Sequence, residues 1–255
     1  MIRHSFILLP KVGEASEKKL WRRGVRSWED FIATESVEGM SPVRKELLSS
    51  RLLEASCFLG KRESEYFNQC LPRREHWRLY EELKSETAFL DIETDGVDRH
   101  AHTTIVGIHS SDGFVTLTRG QDLNAETIRA ALKGKKLLVT FNGLSFDIPM
   151  LEKEFPFCVP KVPHMDLRHM CPRIGIHGGL KDVEIQLGMK RPTELEYLRS
   201  SDAVHLWHAW KRGSPGALKI LQRYNEQDCV NLENVADTVY EEMSSRMRKE
   251  VHAHG

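Results

Sequence analysis

The apolar positions of this 255-residue chain change their spacing near residue 86. From residue 1 to about 85 they recur at helical intervals, without the alternation expected of strands. Leu20, Trp21, Phe31 and Ile32 belong to the first part of this stretch. Ser41 followed by Pro42 has the form of an N-cap and first helical position, and Leu47, Leu48, Leu52, Leu53 and Phe58 supply an apolar stripe that ends at Gly60. Pro72 opens a further helix in which Trp77, Tyr80 and Leu83 share a face. From Thr87 the pattern turns to short apolar runs bounded by turn residues, which predicts strands over 88–92, 104–108, 114–117 and 137–141. Helices are predicted over 124–132, 145–154, 180–187, 201–212 and from Pro215 to about Arg248. Strands followed by interleaved helices indicate an α/β domain with a mixed sheet. The expected organisation is a small all-helical module over 1–80 and an α/β domain over 85–250, without internal repeats.

Composition sharpens this picture only slightly. Hydrophobic residues make up 40% and charged residues 29%, as in folded water-soluble proteins. Lys plus Arg and Asp plus Glu both number 37, so any attraction for a polyanion has to be local. The five cysteines are widely spaced and contain no Cys-x-x-Cys pair, which suggests reduced thiols in a cytoplasmic protein. The apolar run Phe6–Leu9 is too short for a signal-peptide core, so neither targeting nor membrane insertion is expected.

Three short segments carry chemistry. In Leu90-Asp91-Ile92-Glu93, strand alternation sends Leu90 and Ile92 into the core and puts both carboxylates on the opposite face. Two carboxylates that close in a partly dry place require a raised pKa or a compensating cation. A solvated edge strand is the alternative reading. In Asn142-Gly143-Leu144-Ser145-Phe146-Asp147, a strand ends in a turn and a helix follows, with Asp147 in its first turn. Asp147 suits the helix dipole there, Ser145 is placed to cap, and Asn142 tolerates a left-handed turn position. In the last helix Tyr224 and Asp228 lie four residues apart and share a face with Leu221 and Leu232. An aspartate on a buried stripe is costly without a partner, although a Tyr–Asp hydrogen bond also accounts for it.

In this order along the chain, the three segments resemble the motifs of the DnaQ-like DEDD exonucleases of the RNase H-like superfamily, in the subgroup with tyrosine in the third motif. Arg223 occupies the position where the other subgroup has histidine. Residues 179–184 (Gly-Leu-Lys-Asp-Val-Glu) and 201–234 are further similar to the YprB-like branch, and the resemblance covers about residues 77–240. It implies an RNase H-like mixed five-stranded sheet with flanking helices and a metal-dependent exonuclease. Asp91, Glu93, Asp147 and Asp228 would hold two Mg²⁺ or Mn²⁺ ions, and Tyr224 would orient the attacking water. Thr94, Asn142, Asp166 and Lys181 would serve as substrate contacts. Taken alone, Asp166 is equally a capping residue and Lys181 a solvated lysine. His205 and His208 read as surface or packing residues.

The implied substrate is nucleic acid, DNA in preference to RNA, cut from 3′ to 5′. A non-catalytic nucleic-acid-binding adaptor on the same fold, an RNA-directed nuclease and an endonuclease remain the alternatives. The segment from Leu8 through Gly13, followed by Gly24-Val25, resembles a helix-hairpin-helix whose hairpin amides would meet phosphate, with Lys11 where that motif has glycine. Lys18, Lys19, Arg22, Arg23 and Arg26 would add a local basic patch, and a simple packing module is the alternative.

Overall fold

The computed structural model describes residues 1–96 and 100–253. Strands β1 (Thr87–Thr94), β2 (Thr103–Ser110), β3 (Gly113–Thr118), β4 (Leu137–Thr140) and β5 (His164–Asp166) form one sheet in the order β3-β2-β1-β4-β5. β2 is antiparallel to β1 and β3, whereas β4 runs parallel to β1 and β5. Chain connections explain the mixture. Two residues join β2 to β3 and force a reversal, while a helical crossover returns the chain to β4 in the direction of β1.

The helices before the sheet are α1 (Glu14–Arg22), α2 (Trp28–Ala33), α3 (Pro42–Gly60), α4 (Glu65–Cys70) and α5 (Tyr80–Leu83). Interleaved with or following the strands are α6 (Ala125–Ala131), α7 (Asp147–Glu154), α8 (Leu167–Met170), α9 (Leu180–Gln186), α10 (Thr193–Glu196), α11 (Ser200–Lys211) and the 38-residue α12 (Pro215–His252). Among the described residues no helix is long and apolar enough to cross a membrane.

The sheet is buried on both faces. Leu90 and Ile92 of β1 pack with Val106, Ile128, Leu138 and Leu151 on one side. On the other, Phe89 and Val139 meet Leu232, Val235 and Val239 of α12. That second cluster continues without a break through Tyr80 and Trp77 to Phe6, Trp28, Phe31 and Leu52. The helices before the sheet therefore share a core with it, and the C-terminal half of α12 is the common surface. The contact is supplemented at the rim by Lys18 and Glu250, 2.9 Å apart.

Most predicted elements are present, and the departures have physical causes. Ser41 caps α3 by accepting from the Arg44 amide, with Pro42 at the first turn. The buried stripe of α3, however, is Leu48, Leu52, Ala55 and Leu59, while Leu47 and Leu53 are more than half exposed. The stripe thus follows the i, i+4, i+7, i+11 spacing of one narrow face. Pro72 is followed first by a 3₁₀ stretch, Arg73–Leu79, and only then by α5. At the amino terminus the element before the hairpin is one 3₁₀ turn, Ile2–His4, rather than a helix. The hairpin is tied down internally, since the amides of Phe6 and Ile7 donate to the Glu17 carboxylate at 2.6 and 3.3 Å. Lys11 has φ +59°, a left-handed position that glycine occupies at less cost. Of the basic patch, Lys18 and Arg23 are paired with Glu250 and Glu38.

Candidate metal and catalytic site

β1 delivers the first two carboxylates. Leu90 and Ile92 are buried on one face, and Asp91 and Glu93 project from the face that meets α12. α12 comes unusually close at this point because Asp91 pairs in register with Gly107 of β2. A Cβ on Gly107 would lie 2.0 Å from Asn225 Oδ1 and 2.7 Å from Cys229 Sγ, so no larger residue fits without moving α12. The approach lets Asn225 donate to Asp91, from Nδ2 to Oδ2 at 2.8 Å and to the carbonyl oxygen at 3.2 Å. One turn of helix further, Asp228 enters from the same buried stripe as Leu221, Tyr224 and Leu232.

Ligand oxygens of Asp91, Glu93 and Asp228 all lie within 4.8 Å of one another. Asp147 enters from the first residue of α7, and its Oδ1 accepts the amide of Ile92 at 3.2 Å, between the two β1 carboxylates. Ser145 is not the cap of that helix. Phe146 precedes Asp147 at the helix start without a side-chain cap, because residues 143–146 form a turn. The turn is secured by Asp166 at the end of β5. Its two oxygens accept the amides of Asn142 (2.8 Å), Leu144 (3.0 Å) and Arg168 (3.0 Å). Asp166 thus caps α8 and anchors the loop that carries Asp147. Asn142 has φ +69°, the left-handed turn position expected of it. The Thr94 hydroxyl donates to the Gly96 carbonyl at 2.6 Å, beside the end of β1.

The electrostatics are those of unneutralised negative charge. Burial, then Asp228, then Glu93 push Asp91 well above the ordinary carboxylate range. Glu93 is raised by burial and by Asp228 and Asp147. Burial pushes Asp147 up to about 7, against the opposing Ile92 amide. Asp228 is pushed up to about 6 by burial even though Arg191 acts against the shift. A cluster in which every member resists ionisation is a cluster prepared for cations. The donor set consists of hard carboxylate oxygens, which fits Mg²⁺ or Mn²⁺.

Tyr224 is buried beside these groups, and burial followed by Asp228 and Glu93 raises its phenol above the usual value. Arg223, its sequence neighbour, points to the rim and pairs with Glu194 at 2.7 Å. Lys181 on α9 lies with Nζ 5.2 Å from the Tyr224 ring centroid. His208 meets the Asp95 carbonyl at 3.1 Å and His205 is exposed, so neither joins the carboxylates.

Four residues at the site have no counterpart among the sequence expectations. Asn225 was within reach, since it lies three residues before Asp228 on the same helical stripe. Arg191 bonds Asp228 and, through Nε and Nη2, both oxygens of Glu184 at 2.6 Å. Asn231 supports Glu184 at 2.9 Å. Arg191 stands in an irregular segment between α9 and α10, where no periodicity marks it.

The match to a family model agrees with this architecture. Residues 88–240 match the family described as the RNase_H superfamily. No curated protein matches the sequence at a significant level. Among solved structures, the family B DNA polymerase from the hyperthermophilic archaeon Pyrobaculum calidifontis is similar, with a TM-score of 0.48 and 16% identity. That similarity covers 60% of this chain and 24% of the polymerase, so the chain spans about a quarter of that protein's length. With a family match that spans more than half of its residues, and with all four carboxylates inside the matched region, this chain belongs to the RNase H superfamily.

Proposed function

We propose that the protein is a metal-dependent exonuclease that hydrolyses phosphodiester bonds of nucleic acid from the 3′ end, with DNA preferred to RNA. The observation that carries this reading is the convergence of Asp91, Glu93 and Asp228 within 4.8 Å, with Asp147 bonded to the strand between them. Asp91, Glu93, Asp147 and Asp228 would hold two Mg²⁺ or Mn²⁺ ions. Bound there, such a pair supplies Lewis-acid activation of water and stabilisation of the leaving oxygen.

The chain's own residues do the rest. Asn225 fixes the rotamer of Asp91, and Asp166 fixes the loop of Asp147. Tyr224 holds its hydroxyl among the carboxylates as a neutral donor, since its phenol is raised further from neutral pH. In that state it orients water by hydrogen bonding and does not deprotonate it. Thr94 and Asn142 lie at the ends of β1 and β4, where a strand of nucleic acid would pass. The five thiols are free, in keeping with a reducing compartment such as the cytoplasm.

The test is hydrolysis of end-labelled single-stranded and duplex DNA and RNA with Mg²⁺, Mn²⁺ or chelator. The expected result is a one-nucleotide ladder that recedes from the 3′ end, requires metal and is strongest on DNA. Undiminished cleavage by purified Asp91→Ala and Asp228→Ala variants would exclude this assignment of the site.

A further inference from the structure

A cavity of about 920 Å³ lies between α3 and α4 on one side and the α/β half of the molecule on the other. Lys135 and Lys136 line it and lead into β4, while Pro160 and Val162 line it and lead into β5. Both strands run from the cavity toward the carboxylate site, and Leu137 pairs with Thr87. At least half the length of β1, about 13 Å, therefore separates the cavity from Asp91.

Three observations mark this cavity as a site. Ser64 lines it at 2% exposed, and its hydroxyl is buried without a partner. Buried hydroxyls are paired in the great majority of proteins, so an orphan beside a cavity points to a ligand. Phe157, on the rim, is 82% exposed and has φ +61°. A bulky residue holds that conformation at a cost, and here Glu152 enforces it by accepting the amides of Phe157 and Val159, both at 2.9 Å. The ring is thus presented to solvent on a fixed turn. Arg129, Lys133 and Lys136 line one wall and have no ion-pair partner among the described residues. On the facing wall Phe58 and Tyr66 stack with centroids 4.4 Å apart, and Arg51 is neutralised by Glu54 at 2.8 Å.

We propose that this groove is a second nucleic-acid site. It holds an unpaired stretch of strand with its phosphates along Arg129, Lys133 and Lys136 and its bases on Phe157 and Tyr66. A cationic track beside aromatic rings has the chemistry a single strand requires, because cations take the backbone and rings take the faces of the bases. Glu63 and Glu65, on the α4 wall, repel phosphate and accept from base amino groups, so the backbone faces α6 and the bases face α4. The length of the groove favours a strand over a free nucleotide. A second cavity of about 410 Å³ shares Arg51, Tyr66 and Gln69 with the first and carries the groove on to Leu8, Leu9 and Pro10 of the amino-terminal hairpin. A polypeptide would cover the rings as well, but it leaves the three unpaired cations on one wall unexplained.

The site is tested by fluorescence anisotropy with a labelled twenty-nucleotide oligothymidylate in the presence of a chelator. Without metal the carboxylates repel the strand, which leaves the groove as the binding surface. Full-length wild type, Phe157→Ala and the double variant Arg129→Gln, Lys133→Gln are compared. All three side chains are exposed, so the fold is retained. Phe157→Ala is expected to weaken binding by about fivefold to a hundredfold, as loss of one stacking partner does. The double variant is expected to bind more weakly and to flatten the slope of log affinity against log salt by about 1.4. With Mn²⁺, hydrolysis of the dinucleotide pTpT, too short to reach the groove, should be unchanged in both, while KM for the long strand rises.

Wild-type affinity and salt slope in both variants would overturn the groove as a site for nucleic acid. A wild type that fails to bind the oligothymidylate in chelator would do the same and leave the groove to a polypeptide. Thymidine monophosphate that displaces the long strand at equal concentration would overturn a strand in favour of a free nucleotide. Hydrolysis of pTpT by wild type alongside any of these results leaves the nuclease reading standing. Strand binding that the variants weaken as expected, without hydrolysis by wild type, would keep the groove and remove the nuclease reading.

Discussion

Two buried clusters of charge lie in this molecule and are built to opposite ends. Beneath the amino-terminal hairpin, Glu17 (1% exposed) and Glu75 (0%) are enclosed with Arg78 (5%). Arg78 bonds Glu17 at 3.0 Å and Glu75 at 2.6 Å, and Arg173 reaches Glu75 at 3.3 Å. Ser5 and the amides of Phe6 and Ile7 also donate to Glu17, and the Trp77 indole donates to Glu75. Arg74 adds a third guanidinium group 3.7 Å from Glu75, so both carboxylates have counter-charges at hand. At the edge of β1, four carboxylates share one guanidinium, which is already engaged by Glu184. Burial raises Glu17 as it raises Asp91, but in the first cluster the Arg78 and Phe6 bonds act directly against it. A buried ion pair whose partners are all present organises a core. A buried excess of one sign is a cost to the fold that a bound cation relieves.

Breaking each cluster should therefore have opposite consequences. Asp228→Asn is expected to lower hydrolysis by at least about a thousandfold, as loss of an anionic metal ligand does. It should leave the metal-free protein as stable as wild type or more so, because repulsion is removed. Arg78→Met is expected to leave activity per folded molecule unchanged while costing about 3–5 kcal/mol of stability, because Glu17 is left buried without a counter-charge and Glu75 keeps only its partners at the rim. Urea unfolding and initial rates on the same preparations check both. Equal destabilisation by the two variants would remove the distinction.

Tyr224→Phe makes a finer cut within the site. The ring still packs against Lys181 and Arg191, and only the hydroxyl is lost. Turnover is expected to fall by about ten- to a thousandfold with Mn²⁺ affinity nearly constant. Turnover equal to wild type would make the tyrosine structural. A loss of metal affinity as deep as that of Asp228→Asn would place the hydroxyl in support of the ligands instead.

The smallest expected effect is on stability as a function of pH. Asp147 and Asp228 have folded values of about 7 and about 6, above the ordinary 3.8. Raised carboxylates favour the fold while protonated. Their contribution is complete below the unfolded value near 4 and is lost as pH rises through about 6 to about 7. The metal-free protein should accordingly melt at lower temperature at about pH 8 than at about pH 5, and saturating Mg²⁺ should flatten the trend. A metal-free melting temperature that rises over that interval would contradict the sign.

What the sequence revealed of this site followed from periodicity. Asp91 and Glu93 were legible because strand alternation separates them from Leu90 and Ile92, and Tyr224 and Asp228 because helical spacing aligns them with Leu221 and Leu232. α6, α9, α11 and α12 fall within a few residues of their predicted ranges for the same reason. The three-residue strand β5 is too short to show a period, so its pattern gave no strand there. Asp166 looked like a capping residue and is one, but its grip on Asn142 and Leu144 depends on β4 and β5 being neighbours. Arg191 was invisible because it reaches Asp228 across 37 positions from an irregular segment. In α3, Leu47 and Leu53 were expected inside because adjacent leucines widen an apparent stripe that the fold narrows to one row.

The central claim is that the four carboxylates hold a pair of divalent cations. Its most direct test is anomalous scattering at the manganese edge from crystals of the full-length protein soaked in Mn²⁺. The account predicts two peaks among Asp91, Glu93, Asp147 and Asp228, and the loss of at least one of them in Asp228→Asn. Absence of any peak among these side chains at saturating Mn²⁺, in crystals that bind the ion elsewhere, would contradict it.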